Sequence, residues 1–181
     1  MIPKHAKKVF EGVLFRVYQW EQEMFDGSFE TFEAIKRLPG VQIIAVKEDE
    51  FIFLKESQPH RGSFLSLSGG MFDSWNEDPL DAARRELLEE TGFSGDFSKF
   101  MTINFGGKID WPVHYFICKI KKEDKSKVNL DAGEKIKVQY EKVSNLFEFV
   151  NRDDFRNKQF KNYLNDLKNK GLYKDFLKKL I

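Results

Sequence analysis

The 181-residue chain carries 30 lysines and arginines against 29 aspartates and glutamates, a net charge of +1, and 41% hydrophobic residues. That balance excludes a disordered chain and supplies no global field to draw in nucleic acid or a membrane surface. Nineteen phenylalanines point to a core of large rings, and the single cysteine, Cys118, excludes an internal disulfide and fits a reducing cytoplasm.

The start, MIPKHAKKVF, is basic but has no apolar segment of the signal-peptide kind, and no run is long enough to span a bilayer. A cytoplasmic location is expected. The first third then reads as strands. Residues 13–24 and 29–38 flank Asp26-Gly27, a dipeptide suited to a tight hairpin turn. After Pro39-Gly40, the runs VQIIAV and EFIFLK read as two more strands around the charged turn at 47–50. The loop SQPHRG, the short run SFLSLS and the glycine pair Gly69-Gly70 follow.

A helix is predicted next. Asp78 can cap free backbone N–H groups, Pro79 loses nothing at the first helical position, and Gly92 stands where a left-handed cap belongs. At about 100° per residue, Leu80, Ala83 and Leu87 share a core-facing side. Glu86 and Glu90 share another, with Glu89 beside them. Beyond this helix FMTINF and VHYFICKI read as strands separated by GGKIDWP, and KIKVQYEKV as a more exposed one. Cys118, inside an apolar strand run, reads as a small core residue rather than a nucleophile. From residue 153 the pattern turns helical, with Phe160, Tyr163, Leu164 and Leu167 on one face. Gly171 separates a second helix carrying Leu172, Phe176 and Leu180, and this tail is expected to act as a packing lid or partner face. Strands, one central helix, strands and terminal helices together imply a mixed sheet with helices on both faces.

The central helix carries more than surface charge. Glutamates three and four apart repel, whereas a merely solvated helix face more usually alternates its signs. Three carboxylates beside a glycine-rich loop suit a hard divalent cation, which takes oxygen ligands and shares its shell with substrate phosphates. Gly69-Gly70 has no Cβ to keep the backbone away from the same point. Arg85, four residues before Glu89, can hold that carboxylate in place. The plainer alternative is an acidic surface helix.

Gly70, Glu77 and the run Arg85-Glu86-Leu87-Leu88-Glu89-Glu90-Thr91-Gly92-Phe93 resemble the Nudix box. The second half matches at every defined position, while the stretch from Gly70 to Glu77 is one residue longer than the family pattern. The resemblance implies an α+β fold, an α/β/α sandwich with a mixed β-sheet, an N-terminal antiparallel hairpin and C-terminal helices. One domain is expected over residues 1–181: N-terminal strands in 1–38, the Nudix core in 39–150 and a C-terminal helical extension in 151–181. The implied activity is Mg2+-dependent (or Mn2+-dependent) hydrolysis of a nucleoside diphosphate linked to another moiety. The implied metal ligands are Glu86, Glu89, Glu90 and the carbonyl of Gly69. Arg85 would orient the glutamates with Glu77 as its partner, so that Glu77, Arg85 and Glu89 belong to the catalytic set. The ions would neutralise the diphosphate and activate the attacking water.

The wider layout, over residues 12–150, resembles the ADP-ribose pyrophosphatase branch. The carrying features are the N-terminal strand pair, Pro39-Gly40-Val41, and Gln58-Pro59-His60-Arg61. Leu65-Ser66-Leu67-Ser68, Gly106-Gly107 and Trp111 depart from that branch's leucine-glutamate-leucine-proline, proline-glycine and acidic positions. ADP-ribose is therefore one candidate among nucleoside diphosphate sugars. The branch implies a catalytic base on a glutamate in a late loop, here Glu134, with Asp110 as the second candidate. Arg61 and His60 are expected at phosphate, and Gly70, Asp110 and Trp111 at the substrate. Trp20 and Phe32 are further candidates for stacking on a base, although a core role is the plainer reading of each. By analogy with the branch a homodimer through the N-terminal hairpin is expected, with no nucleic-acid or membrane partner. Two rivals share the fold. A non-catalytic nucleotide-binding or regulatory module would have lost acidic box residues, and all are present. An isoprenoid diphosphate isomerase would need a well-placed cysteine, which Cys118 is not.

Overall fold

The structure, a computed structural model, describes residues 2–59, 62–130 and 132–181. In chain order its elements are β1 (Lys7–Glu11), β2 (Phe15–Glu23), β3 (Phe29–Arg37), β4 (Gly40–Lys47), β5 (Glu50–Gln58), β6 (Gly62–Ser66) and α1 (Pro79–Thr91). They continue with β7 (Phe93–Asn104), β8 (Ile109–Asp110), β9 (Pro112–Glu123), β10 (Lys135–Lys142), α2 (Leu146–Val150), α3 (Lys158–Asn169) and α4 (Tyr173–Leu180). The core sheet runs β10-β5-β4-β9-β7, with β6 added on β5, and a second sheet runs β1-β2-β3-β8.

Side-chain alternation in the central strands decides what each face of the core sheet packs against. Val41, Ile43 and Ala45 of β4 and Ile52 of β5 join Ala82, Ala83 and Leu87 of α1 in one buried cluster. Ile44 and Val46, with Phe51 and Phe53, turn the other way and join Leu146, Phe160, Leu164, Phe176 and Leu180 of α2, α3 and α4. Two apolar faces, each covered by helices, make the expected α/β/α sandwich of α+β class. Among the described residues no helix is long and apolar enough to cross a membrane.

The split between β4 and β5 positions the site. β4 runs parallel to β9 from Gly40↔Val113 to Val46↔Lys119, but pairs with β5 only between Ala45↔Ile52 and Lys47↔Glu50. Beyond that point β5 takes β6 as its neighbour. The side of β4 left open is filled by the glycine loop: Ile43 N donates to Ser68 O at 2.8 Å and Val41 N to Gly70 O at 2.9 Å.

Several elements differ from the sequence expectation. β1 was not anticipated; every residue of it is exposed, and it forms by pairing with the edge of β2. The Asp26-Gly27 turn is wider than two residues, with Met24 N bonded to Ser28 O and the Asp26 carboxylate accepting from Ser28 N and Oγ. β7 begins immediately after α1 rather than at Phe100. Helix α3 begins at Lys158, because residues 154–156 instead form a strap along β6: Leu65 N donates to Asp154 O and Arg156 N to Leu65 O, both at 2.8 Å. Those backbone groups are committed to β6 and cannot also start a helix. Leu172, expected on the packed face, is 48% exposed just ahead of α4.

Candidate active site

α1 is fixed at both ends. The Asp78 carboxylate accepts from Leu80 N at 2.8 Å and Asp81 N at 3.4 Å, and Gly92, at φ 75°, donates back to Leu88 O. With Ala82, Ala83 and Leu87 buried beneath, the helix presents Arg85, Glu86, Glu89 and Glu90 to a cavity of about 670 Å³.

Arg85 organises this face. Its Nε and Nη2 bond the two carboxylate oxygens of Glu77 at 3.1 and 3.2 Å, a bidentate fork that lysine could not make. Its Nη1 reaches Glu86 at 2.9 Å and Glu89 at 3.3 Å, and Nη2 also bonds Met71 O. Asp73 adds a fourth carboxylate at 3.1 Å. Burial opposes the charge of Arg85, but its bonds to Glu77 and the charge of Glu86 outweigh that and raise its pKa.

Neither glycine of the loop has room for a side chain. A Cβ on Gly70 would overlap the Glu86 carboxylate, and one on Gly69, at φ 143°, would overlap the Val41 carbonyl oxygen. Gly69 N and Ser68 Oγ both donate to the same Glu90 oxygen, at 2.9 and 2.5 Å. Burial pushes the Glu86 carboxyl up to about 7, against the pull of Arg85, with Glu89 and Asp73 adding to the rise. Burial also raises Glu90 well above the usual carboxylate range, opposed by Ser68 and reinforced by the charge of Glu86.

The donor chemistry fits a hard divalent cation: three carboxylates line one cavity beside a glycine loop with no side chains. Among the described residues, no group of three or more His, Cys, Asp or Glu side chains is gathered closely enough to hold an ion. The reason is local, since Arg85 draws Glu86 and Glu89 to itself while Ser68 and Gly69 take Glu90.

Two walls flank the glycine loop. On the β9 side of β4, Trp111 stacks on Phe105 with ring centroids 4.4 Å apart, and the Arg37 guanidinium lies 3.8 Å from the Trp111 ring centre. The indole Nε1 of Trp111 is buried with no hydrogen-bond partner among the described residues. On the β5 side, Glu56, Gln58 and Ser66 face Arg156, Asn157 and Gln159 from the C-terminal segment. Glu134, just ahead of β10, joins this wall, and Gln58 Nε2 lies 3.4 Å from its carboxylate.

The sequence-predicted residues are thus distributed unevenly. Gly69, Gly70, Arg85, Glu86, Glu89, Glu90, Trp111 and Glu134 all line the cavity. Glu77 stands behind Arg85 and is not part of the lining. Asp110 does not reach it either: β8 is paired to β3 through Lys36↔Asp110, and the Asp110 carboxylate accepts from Asn104 Nδ2 at 2.7 Å. His60 and Arg61 lie outside the described residues. Trp20 and Phe32 face each other across β2 and β3, away from the cavity. Cys118 is buried in β9, where burial pushes its thiol up to about 12. Within the longer stretch before Glu77, the Trp75 ring lies 4.0 Å from the Arg16 guanidinium on β2.

Sequence reading missed Glu56, Arg37 and the C-terminal residues Arg156, Asn157 and Gln159. Glu56 left a signal: it continues the two-residue alternation of Ile52 and Leu54, which places a carboxylate on a buried face.

Compared with known proteins, the chain matches the NUDIX domain family over residues 36–164. A search of curated proteins gives no match. Among solved structures, the crystal structure of an ADP compounds hydrolase superposes with a TM-score of 0.70 at 20% identity, covering 93% of this chain and 95% of that one. The family match spans well over half of the sequence and includes the whole of α1 with its carboxylates: the chain belongs to the Nudix family.

Proposed function

We propose that this Nudix chain hydrolyses the diphosphate bond of a nucleoside diphosphate sugar, ADP-ribose among them, to a nucleoside monophosphate and a sugar phosphate. The observation that carries the reading is one cavity in which the α1 carboxylates and the glycine loop stand between a stacked aromatic wall and a polar wall bearing Glu134. Its volume suits a ligand of nucleotide size. One solved structure of like fold is an ADP compounds hydrolase, which favours adenine as the base.

The roles divide as follows. Glu86, Glu89 and Glu90 with the Gly69 carbonyl would hold Mg2+ or Mn2+. When bound, such a cation neutralises diphosphate charge and activates water. Arg85, pinned by Glu77, keeps the carboxylates on one face as the substrate enters. Phe105, 42% exposed and backed by Trp111, takes the base by stacking, while Arg37 covers the Trp111 ring. Glu134 accepts the proton of the attacking water, because the α1 carboxylates are committed elsewhere. The water oxygen joins phosphorus as the bridging P–O bond breaks, and the pair of phosphate monoesters leaves.

The whole of 1–181 acts as one domain in this reading, working in the cytoplasm as a homodimer through the N-terminal sheet. The exposed Phe10, Phe15, Phe29, Ile35 and Ile109 of that sheet support the pairing. A panel of nucleoside diphosphate sugars, assayed with Mg2+ or Mn2+ at mildly alkaline pH with products identified, tests the activity. Nucleoside monophosphate plus sugar phosphate is expected. Binding without turnover of any compound would leave a non-catalytic module instead.

A further inference from the structure

The polar wall is built with more care than a passive boundary needs. Glu56 is only 7% exposed, and its one hydrogen bond among the described residues comes from the neutral hydroxyl of Ser66. A buried carboxylate is costly unless further donors reach it. Arg156 attracts it and Glu134 repels it across the wall.

The C-terminal strap sets this geometry. Asn157 accepts from Leu67 N at 2.8 Å and donates to Gln42 Oε1 at 2.5 Å, so one side chain ties the strap to both the glycine loop's lead-in and β4. Arg156 is anchored through its own N–H to Leu65 O, and its guanidinium lies over the Phe64 ring at 5.0 Å. The C-terminal segment is therefore a wall of the site as well as a cover for the core.

The chemistry of this wall selects a ligand. Among the described residues this wall carries two carboxylates, Glu56 and Glu134, beside one guanidinium, Arg156, which disfavours an anionic group. The described residues of this wall, from Glu56 and Gln58 to Arg156 and Gln159, offer no aromatic ring on which a second base could stack. What remains is a neutral group rich in hydroxyls, whose O–H groups donate to carboxylates and exchange bonds with the amides of Gln58 and Gln159. The aromatic wall stands on the opposite side of β4, toward β9, so the two ends of a diphosphate ester would fall on different walls.

Resting on the function proposed above, we infer that the polar wall reads the hydroxyls of the sugar beyond the diphosphate. Glu56 is its specificity-determining residue, accepting sugar hydroxyls. Arg156 borders the same group, and Asn157 is a positioning residue that holds the strap in place.

The test compares two substrates sharing one nucleoside diphosphate, the first carrying ribose on the terminal phosphate and the second only a methyl ester. The quantity read is the ratio of their kcat/KM values, ribose over methyl, with Mg2+ present. In Glu56→Gln this ratio should fall about tenfold, the worth of one hydrogen bond to a charged group. A fall smaller than about threefold, near the low end even for a hydrogen bond between neutral groups, overturns the inference. If Glu56→Gln does not fold, Arg156→Ala on the exposed end of the wall is read against the same threshold. A wild-type protein that hydrolyses both substrates without preference overturns the inference and leaves the proposed function standing. Hydrolysis of neither overturns both.

Discussion

On α1, Glu86 and Glu89 share one guanidinium that also clamps Glu77, while Glu90 is fixed by Ser68 and the Gly69 amide. On the far wall, Glu56 meets a neutral hydroxyl, and Glu134 has a glutamine amide 3.4 Å away, near the limit for a hydrogen bond. The first set is a dense negative cluster buried around a cationic hub. The second lines the opposite wall of the same cavity. In the proposed function the contrast corresponds to two jobs: holding positive charge at the diphosphate, and making or breaking bonds to protons and hydroxyls.

Substitutions can break this division, and the largest effect is expected on the helix. Glu90→Gln keeps the shape of the side chain and an acceptor for Ser68 and Gly69 but removes its charge. Turnover should fall about a thousandfold, the scale of several kcal/mol of lost charge stabilisation. Thermal unfolding should be unchanged or improved, because a member of a repelling cluster has gone. Circular dichroism beside a turnover assay checks both.

Glu134→Gln should cost about a hundredfold in kcat, within the range of general-base catalysis, with little change in KM. Asp110→Asn, which loses only a bond to Asn104, should stay near wild type. If the two results were exchanged, the base would belong to the loop before β9.

A third prediction concerns pH. Glu86 has its pKa pushed up to about 7 in the folded protein, above the usual carboxylate value, and Glu90 is raised in the same direction. The folded state therefore binds protons that the unfolded state has released. This contribution to stability is fully present below the unfolded value and is lost as pH rises through about 7. For Glu86 the loss amounts to roughly 3 kcal/mol. The metal-free protein should have a lower Tm at pH 8 than at pH 5, and added Mg2+ should raise Tm more at pH 8. A metal-free Tm that climbs across this range would contradict the burial of these groups.

The smallest expected change lies away from the cavity. Phe29 is 62% exposed on the N-terminal sheet, and Phe29→Asp should shift the solution mass from dimer to monomer. Light scattering at micromolar concentration reads it directly. A wild-type protein that is already monomeric removes the proposed pairing.

What the sequence disclosed follows the same contrast. α1 was legible because each of its features is local: the Asp78 and Gly92 caps, the apolar positions and the spacing of the glutamates all lie within one short run. β4 and β5 were legible from their apolar runs. The polar wall was not legible, because it joins β5, β6, the start of β10 and residues 154–159, which are far apart in the chain. Nothing in the run around Arg156 marks it as a strap, since its order comes from backbone bonds to Leu65. β1 lacked any alternation to betray it, being exposed throughout. Arg37 and Phe105 are ordinary strand and loop residues until β3 and the turn after β7 bring them to Trp111.

The division of labour between the two carboxylate sets is tested most directly by titrating Mg2+ against initial rate in wild type, Glu90→Gln and Glu134→Gln under saturating substrate. In Glu90→Gln the Mg2+ midpoint should move to higher concentration. In Glu134→Gln the midpoint should stay at the wild-type value while the plateau falls. A Glu134→Gln protein whose midpoint shifts as far as that of Glu90→Gln, or a Glu90→Gln protein whose midpoint does not move, would contradict the account.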